Sequence, residues 1–173
     1  MAREGRIIVN TGDGKGKTTA ALGTALRAAG HGMQVGIIQF IKGDFNYGEA
    51  YALQAHPNIQ LTRIGSGFTW LAEDPAEPRR VAREAWAVAR EWAMSDRYDL
   101  LVLDELNYVV GEGYVSPQEI IEMLRGRPKR LSVIITGRGA ATELIEFADT
   151  VTEMRSVKHA FAEGLPAKKG IEY

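Results

Sequence analysis

The sequence contains no cysteine, which excludes disulfides, thiolate zinc sites, iron–sulfur clusters and a cysteine nucleophile, and fits a reducing compartment. Histidine is scarce: His31, His56 and His159 are the three present, too far apart for any local metal-ligand spacing. No charge of one sign dominates. Lys and Arg number 21 against 22 for Asp and Glu, a net charge of −1, so a nucleic-acid partner held by a global positive field is not expected, although a local basic patch stays open. No run approaches the ~18 uninterrupted apolar residues of a membrane span. The N-terminus, Met-Ala-Arg-Glu-Gly-Arg, passes into the short apolar stretch Ile7–Val9 without the apolar region of a signal peptide. Repeats, low-complexity tracts and linkers are also lacking. The expectation is a soluble, cytoplasmic protein with no membrane partner.

What is present reads as one domain spanning residues 1–173, with an irregular tail from about residue 156. The 173 residues, 45% hydrophobic and 25% charged, are enough to bury roughly 70% of the unfolded surface without a covalent or metal staple. Glycine is the unusual count, 19 of 173, above the ordinary ~7%.

Apolar runs and helical patterns alternate along the chain. Runs at Ile7–Val9, Val35–Phe40, Ile59–Ile64, Leu100–Leu103 and Leu131–Thr136 read as buried strands, with Val151–Met154 a weaker sixth. The Ala/Leu-rich stretch Ala20–Ala29 reads as a helix ending at Gly30 as its C-terminal cap. The stretch Ile41–Gly48 reads as a loop. From Pro75 to Met94, Val81, Ala82, Ala85, Ala89, Trp92 and Ala93 recur at helical spacing, and Trp86 and Trp92 read as packing residues. Ser116-Pro117-Gln118-Glu119 is a capping box that starts a helix to about Arg125, and a short helix falls near Glu143–Phe147. The tail from Lys158 to Tyr173 has no clear period, and Lys158, Lys168 and Lys169 read as its solvated basic face. The alternation predicts an α/β domain with a mostly parallel sheet covered on both faces.

The glycines cluster at Thr11-Gly12-Asp13-Gly14-Lys15-Gly16-Lys17-Thr18-Thr19, between a strand and a helix. Gly12, Gly14 and Gly16 let successive N–H groups turn inward to form an anion nest, and the helix beginning near Lys17 adds its positive end. Lys17 can reach phosphate oxygens and the Thr18 hydroxyl can ligate Mg²⁺. The motif G-x-x-x-x-G-K-[ST] is met except at its first glycine, where Thr11 stands. Leu100-Leu101-Val102-Leu103-Asp104-Glu105 places two acids at the carboxyl edge of a buried strand, hard oxygen donors suited to Mg²⁺ beside nucleotide phosphates; Asn107 reads as a positioning or turn residue. The loop Gly65-Ser66-Gly67-Phe68-Thr69-Trp70 has two readings: Phe68 and Trp70 cap the core, or they form an apolar wall over a flat ligand. Arg138, on the Gly137-Arg138-Gly139 turn, and Lys42, just after the second strand, are each either anion-binding or exposed turn residues. His159 reads as structural rather than catalytic.

These segments together resemble the ATP-dependent corrinoid adenosyltransferases of cobalamin synthesis and salvage. The resemblance is carried by the glycine loop with its displaced first glycine, Gln39-Phe40-Ile41-Lys42-Gly43, Gly67-Phe68-Thr69-Trp70, Leu103-Asp104-Glu105-Leu106-Asn107-Tyr108, Ile135-Thr136-Gly137-Arg138, and the tail Lys158-His159-Ala160-Phe161 through Lys169-Gly170-Ile171-Glu172-Tyr173. It implies a three-layer, RecA-like P-loop fold and transfer of the 5′-deoxyadenosyl group of ATP to the Co(I) of a reduced corrinoid, of the cobalamin or cobyrinic acid a,c-diamide type. Triphosphate is the leaving group, and the nucleotide lies reversed relative to ordinary P-loop enzymes. It further implies a homodimer, an external electron donor such as a flavoprotein, and Mg²⁺ (or Mn²⁺).

Carried onto this sequence, the resemblance gives Gly12, Asp13, Gly14, Lys15, Gly16, Lys17, Thr18 and Thr19 to the triphosphate, with Lys42 and Arg138 beside them. Thr18 and Glu105, with Asp104 nearby, go to the metal. Lys17, Phe68 and Trp70 carry the reaction, the two aromatics by pressing on the lower face of the corrinoid so that cobalt becomes four-coordinate. Some members have a longer N-terminal extension over the corrinoid site, whereas here the first strand begins by about Arg6. A small-molecule kinase or ATPase, or a non-catalytic nucleotide- or corrinoid-binding module, is the alternative.

Overall fold

The computed structural model describes residues 4–41, 48–65 and 76–172. In chain order the elements are β1 Ile7–Thr11, α1 Lys17–Gly30, β2 Val35–Gln39, α2 Gly48–Gln54, β3 Ile59–Arg63, α3 Ala76–Met94, β4 Leu100–Asp104, α4 Leu106–Gly111, α5 Pro117–Gly126, β5 Ser132–Thr136, α6 Thr142–Phe147 and β6 Thr150–Glu153, followed by a 3₁₀ turn at Ala160–Glu163. The six strands form one sheet in the order β3-β2-β4-β5-β1-β6, and every pairing is parallel. All strands therefore end at the same edge, and β5 separates the glycine-loop strand β1 from the acid-bearing strand β4.

Because side chains alternate across a strand, each unbroken apolar run feeds two cores. Leu101, Leu103, Val133, Ile135 and Ile38 face α3, α4, α5 and α6, where Trp86, Trp92, Val109, Ile120, Leu124 and Leu144 are buried. Leu100, Val102, Ile134, Val35 and Ile37 face the other way, onto Ala21, Leu22, Ala25 and Ala29 of α1 and Leu53 of α2. The result is a three-layer α/β fold, a parallel sheet between two layers of helices. Trp86 and Trp92 are packing residues, as their helical spacing implied.

Several boundaries differ from the sequence reading. The C-cap of α1 is His31 rather than Gly30, which is still helical; the reversal is made one residue later by Gly32, at φ +78°. The weak last strand is β6, in register with β1 from Ile8↔Thr150 to Thr11↔Glu153. Its four residues are exposed at the sheet edge, which is why its signal is the weakest of the six. Gly48 opens α2 instead of closing a loop, and α4 follows the acidic edge directly. The capping box is formed as read: Ser116 Oγ accepts Glu119 N–H at 3.2 Å, and Glu119 Oε2 accepts Ser116 N–H at 3.0 Å.

Candidate nucleotide-binding site

The loops leaving β1, β2, β4 and β5 converge at the carboxyl edge around a cleft of about 500 Å³, walled by the 13–19 loop together with Ile41, Glu105, Tyr108, Arg138 and His159. This is where an open parallel sheet places its ligands. The β1 loop is shaped by its glycines. Gly12 and Gly16 hold φ values of +92° and +110°, a region side-chain-bearing residues avoid. A Cβ on Gly14 would lie 2.7 Å from the Arg155 carbonyl. That approach lets Gly14 N–H donate to the Met154 carbonyl at 2.6 Å, which ties the loop to the chain leaving β6, so this N–H, expected to turn inward toward an anion, is engaged outside the nest. Thr11, standing where a glycine was expected, is buried and its hydroxyl accepts Ala140 N–H at 3.1 Å. It fastens the β5 loop, and with it Arg138, against the β1 loop.

Lys17 is the first residue of α1, and its ammonium folds back to donate to the carbonyls of Gly12 at 2.6 Å and Gly14 at 2.7 Å. Burial pushes its pKa below the ordinary lysine value; Glu105 opposes that shift, while Arg138 adds to it. The charge is poorly solvated and lightly held, a state that an incoming anion would relieve. Beside it, Thr18 Oγ donates to Asp104 Oδ1 at 2.8 Å. Asp104 is completely buried. Its Oδ1 also accepts the Thr136 hydroxyl at 2.7 Å, and its Oδ2 accepts Gln39 Nε2 at 3.0 Å. With its proton given to Asp104, the Thr18 hydroxyl is turned so that its lone pairs are available to a cation.

Glu105 sits at φ +65° as the residue that precedes α4. Its N–H donates to Thr136 Oγ at 2.9 Å, and the sharp turn at this residue puts it on the cleft wall while Asp104 stays beneath. Asn107 is buried, with Nδ2 on the Gly137 carbonyl at 3.1 Å, the positioning contact of the two readings given above. Arg138 is 72% exposed and lies 4.0 Å from Asp13 at the cleft mouth. Asp13, Gly14, Lys15, Gly16, Lys17, Thr18, Thr19, Glu105 and Arg138 are thus brought together; Gly12 holds the loop from behind. Lys42, Phe68 and Trp70 lie outside the described residues. Among the described residues no set of three or more His, Asp or Glu side chains could hold a metal by itself, and no helix is long and apolar enough to cross a membrane.

Sequence reasoning assigned no role to Gln39 or Thr136, which complete the cradle of Asp104. The available signal was position: each is the polar last residue of a strand, directly after an apolar run, as Asp104 is. His159 on the cleft wall was likewise read as structural only.

A glycine-rich loop, a lysine and a threonine at the head of α1, and a buried aspartate at the end of β4, with β5 between, define a P-loop nucleotide-binding protein. The sequence profile of the family described as ATP:corrinoid adenosyltransferase BtuR/CobO/CobP matches residues 3–173, and the chain belongs to that family. It is 46% identical over 169 residues to the corrinoid adenosyltransferase of Escherichia coli K12, with 98% of this chain and 86% of that one covered. Against the corrinoid adenosyltransferase CobA of Salmonella typhimurium LT2 it is 44% identical over 169 residues, with 98% and 86% covered. The corrinoid adenosyltransferase of Pseudomonas aeruginosa PAO1 is 42% identical over 170 residues, with 98% and 84% covered.

Proposed function

We propose that this chain is a transferase that moves the 5′-deoxyadenosyl group of ATP to the Co(I) centre of a reduced corrinoid, releasing triphosphate, in adenosylcobalamin biosynthesis. The observation that carries the reading is the placement of Lys17 and Thr18 in one cleft, with Asp104 holding the Thr18 hydroxyl from beneath, in a chain whose residues 3–173 match this family. Reduced cobalt is itself the nucleophile, so attack on the ribose C5′ needs no protein base. What the protein must supply is position and stabilisation of the charge that grows on the leaving triphosphate. The positive end of α1 and the Lys17 ammonium supply the second of these.

The donor set fits Mg²⁺, or Mn²⁺, because all its members are hard oxygens and because such an ion is commonly held by one or two protein groups plus substrate phosphates. Thr18 and Glu105 would hold it, with Asp104 orienting Thr18, and the ion would neutralise phosphate charge. On this reading Glu105→Gln raises the Mg²⁺ concentration needed for half-maximal rate about tenfold, read from a metal titration at saturating ATP; an unchanged titration would move the ligand role to Asp104.

Arg138 and Lys42 are assigned to the triphosphate, and Phe68 and Trp70 to the lower face of the corrinoid, where they would strip an axial ligand so that reduction to Co(I) becomes easier. Replacing both Phe68 and Trp70 by alanine should lower the rate from Co(II) corrinoid at least tenfold more than the rate from chemically pre-reduced Co(I). Equal losses from both starting states would remove the ligand-displacing role. A homodimer and an external electron donor such as a flavoprotein complete the proposal. Its test is anaerobic incubation with ATP, Mg²⁺ and reduced corrinoid. A light-sensitive adenosylated product is expected, and ATP consumption with no such product would leave a kinase or ATPase.

A further inference from the structure

Residues 155–172 leave β6 and return to the β1 loop, so the segment is tied to that loop at both ends. At its start Gly14 N–H reaches the Met154 carbonyl at 2.6 Å. At its end Lys15 Nζ meets Glu172 Oε1 at 2.9 Å, and Glu172 Oε2 accepts Lys168 N–H at 2.8 Å. Every residue from 155 to 172 is exposed except His159, which is half-buried. His159 is also the residue of this segment that forms part of the cleft wall, in the same cavity as Lys17 and Thr18.

The ring has a defined protonation pattern. His159 Nδ1 accepts Phe161 N–H at 3.1 Å and so caps the 3₁₀ turn Ala160–Glu163. A neutral imidazole that accepts at Nδ1 carries its proton on Nε2. The free edge of the ring is therefore a donor, on a residue held at the wall of a cleft built for phosphate oxygens.

We propose that His159 is a further substrate-contacting residue, its Nε2–H donating to an oxygen of the bound triphosphate. The inference rests on the reading of the cleft as the triphosphate site. In the transfer, the cobalt electron pair forms the cobalt–carbon bond as the C5′–O bond breaks, and that bond's electrons pass to the departing triphosphate. A fixed neutral donor beside the leaving group favours this shift of charge.

Two variants separate the donor from the cap. In His159→Asn the side-chain oxygen can stand where Nδ1 was and keep the cap, but nothing replaces the distal N–H. In His159→Gln the amide N–H reaches the former Nε2 position and the cap is given up. Binding of inorganic triphosphate and, separately, of adenosine to the full chain with Mg²⁺ is measured by calorimetry. His159→Asn should weaken triphosphate binding about tenfold, in line with the loss of one hydrogen bond to a charged group. His159→Gln should stay within about threefold of the parent, and adenosine affinity should be unchanged in both. Parent-like triphosphate affinity in His159→Asn, or equal weakening in both variants, would overturn the inference. Lys17→Ala is the control for the underlying reading. If the parent failed to bind triphosphate, or Lys17→Ala bound it equally well, the assignment of the cleft itself would fall.

Discussion

Lys17→Ala is expected to lower turnover by about 10²–10³-fold, the loss typical of removing one group that stabilises charge in the transition state, with little change in melting temperature. The two halves of that result have one cause. Lys17 is buried, and its bonds run to the Gly12 and Gly14 carbonyls rather than to a carboxylate. Desolvation, the largest influence on it, lowers its pKa. A lysine with a lowered folded-state pKa subtracts stability while charged, and this penalty is relieved as pH rises through the folded value toward 10.5. Removing the ammonium at neutral pH thus sacrifices function and not fold. Bound triphosphate must raise the same pKa. Affinity for inorganic triphosphate, taken relative to Lys17→Ala at each pH so that the ligand's own ionisation cancels, should then fall on the alkaline side, beginning below 10.5. A variant with parent-like rates, or one that unfolds, would contradict this account of the loop.

Asp104→Asn carries the second large effect, on stability and activity together. The carboxylate is completely buried and accepts from the Thr18 and Thr136 hydroxyls on one oxygen and from Gln39 on the other. An asparagine must point an N–H₂ group either at the Gln39 amide, donor against donor, or at two hydroxyls that would have to reverse. One unsatisfied buried group costs about 1–3 kcal/mol, to be read as a lower unfolding free energy in urea. The Thr18 hydroxyl loses a charged acceptor at the same time, so turnover should fall at least tenfold even where the variant is fully folded. Parent-like stability would show that the cradle contributes nothing. Parent-like turnover would show that Thr18 needs no orienting partner.

The sequence made the strands legible because a parallel sheet covered on both faces leaves unbroken apolar runs such as Leu100–Leu103 and Val133–Ile135. The helix starting at Ser116 was legible because its cap is local. The β1 loop was legible for a similar reason: its glycines, lysine and threonine are contiguous. What was hidden depends on distance along the chain. Gln39, Asp104 and Thr136 meet only because β2, β4 and β5 are neighbours in register, and no local pattern specifies that order. Thr11 looked like a defect in the motif and is instead a long-range tie to Ala140. The edge strand β6 lacks a buried face, so the sequence marked it only weakly, as Val151–Met154. His159 was discounted because a lone histidine in an aperiodic tail acquires meaning only when the tail folds back onto the loop at Lys15.

The decisive measurement is the phosphorus balance of a single-turnover reaction, followed by phosphorus NMR beside the absorbance of the adenosylated corrinoid. One equivalent of intact inorganic triphosphate should appear for each cobalt–carbon bond formed, with no ADP. Release of ADP or orthophosphate in step with ATP loss, without organocobalt product, would contradict the account.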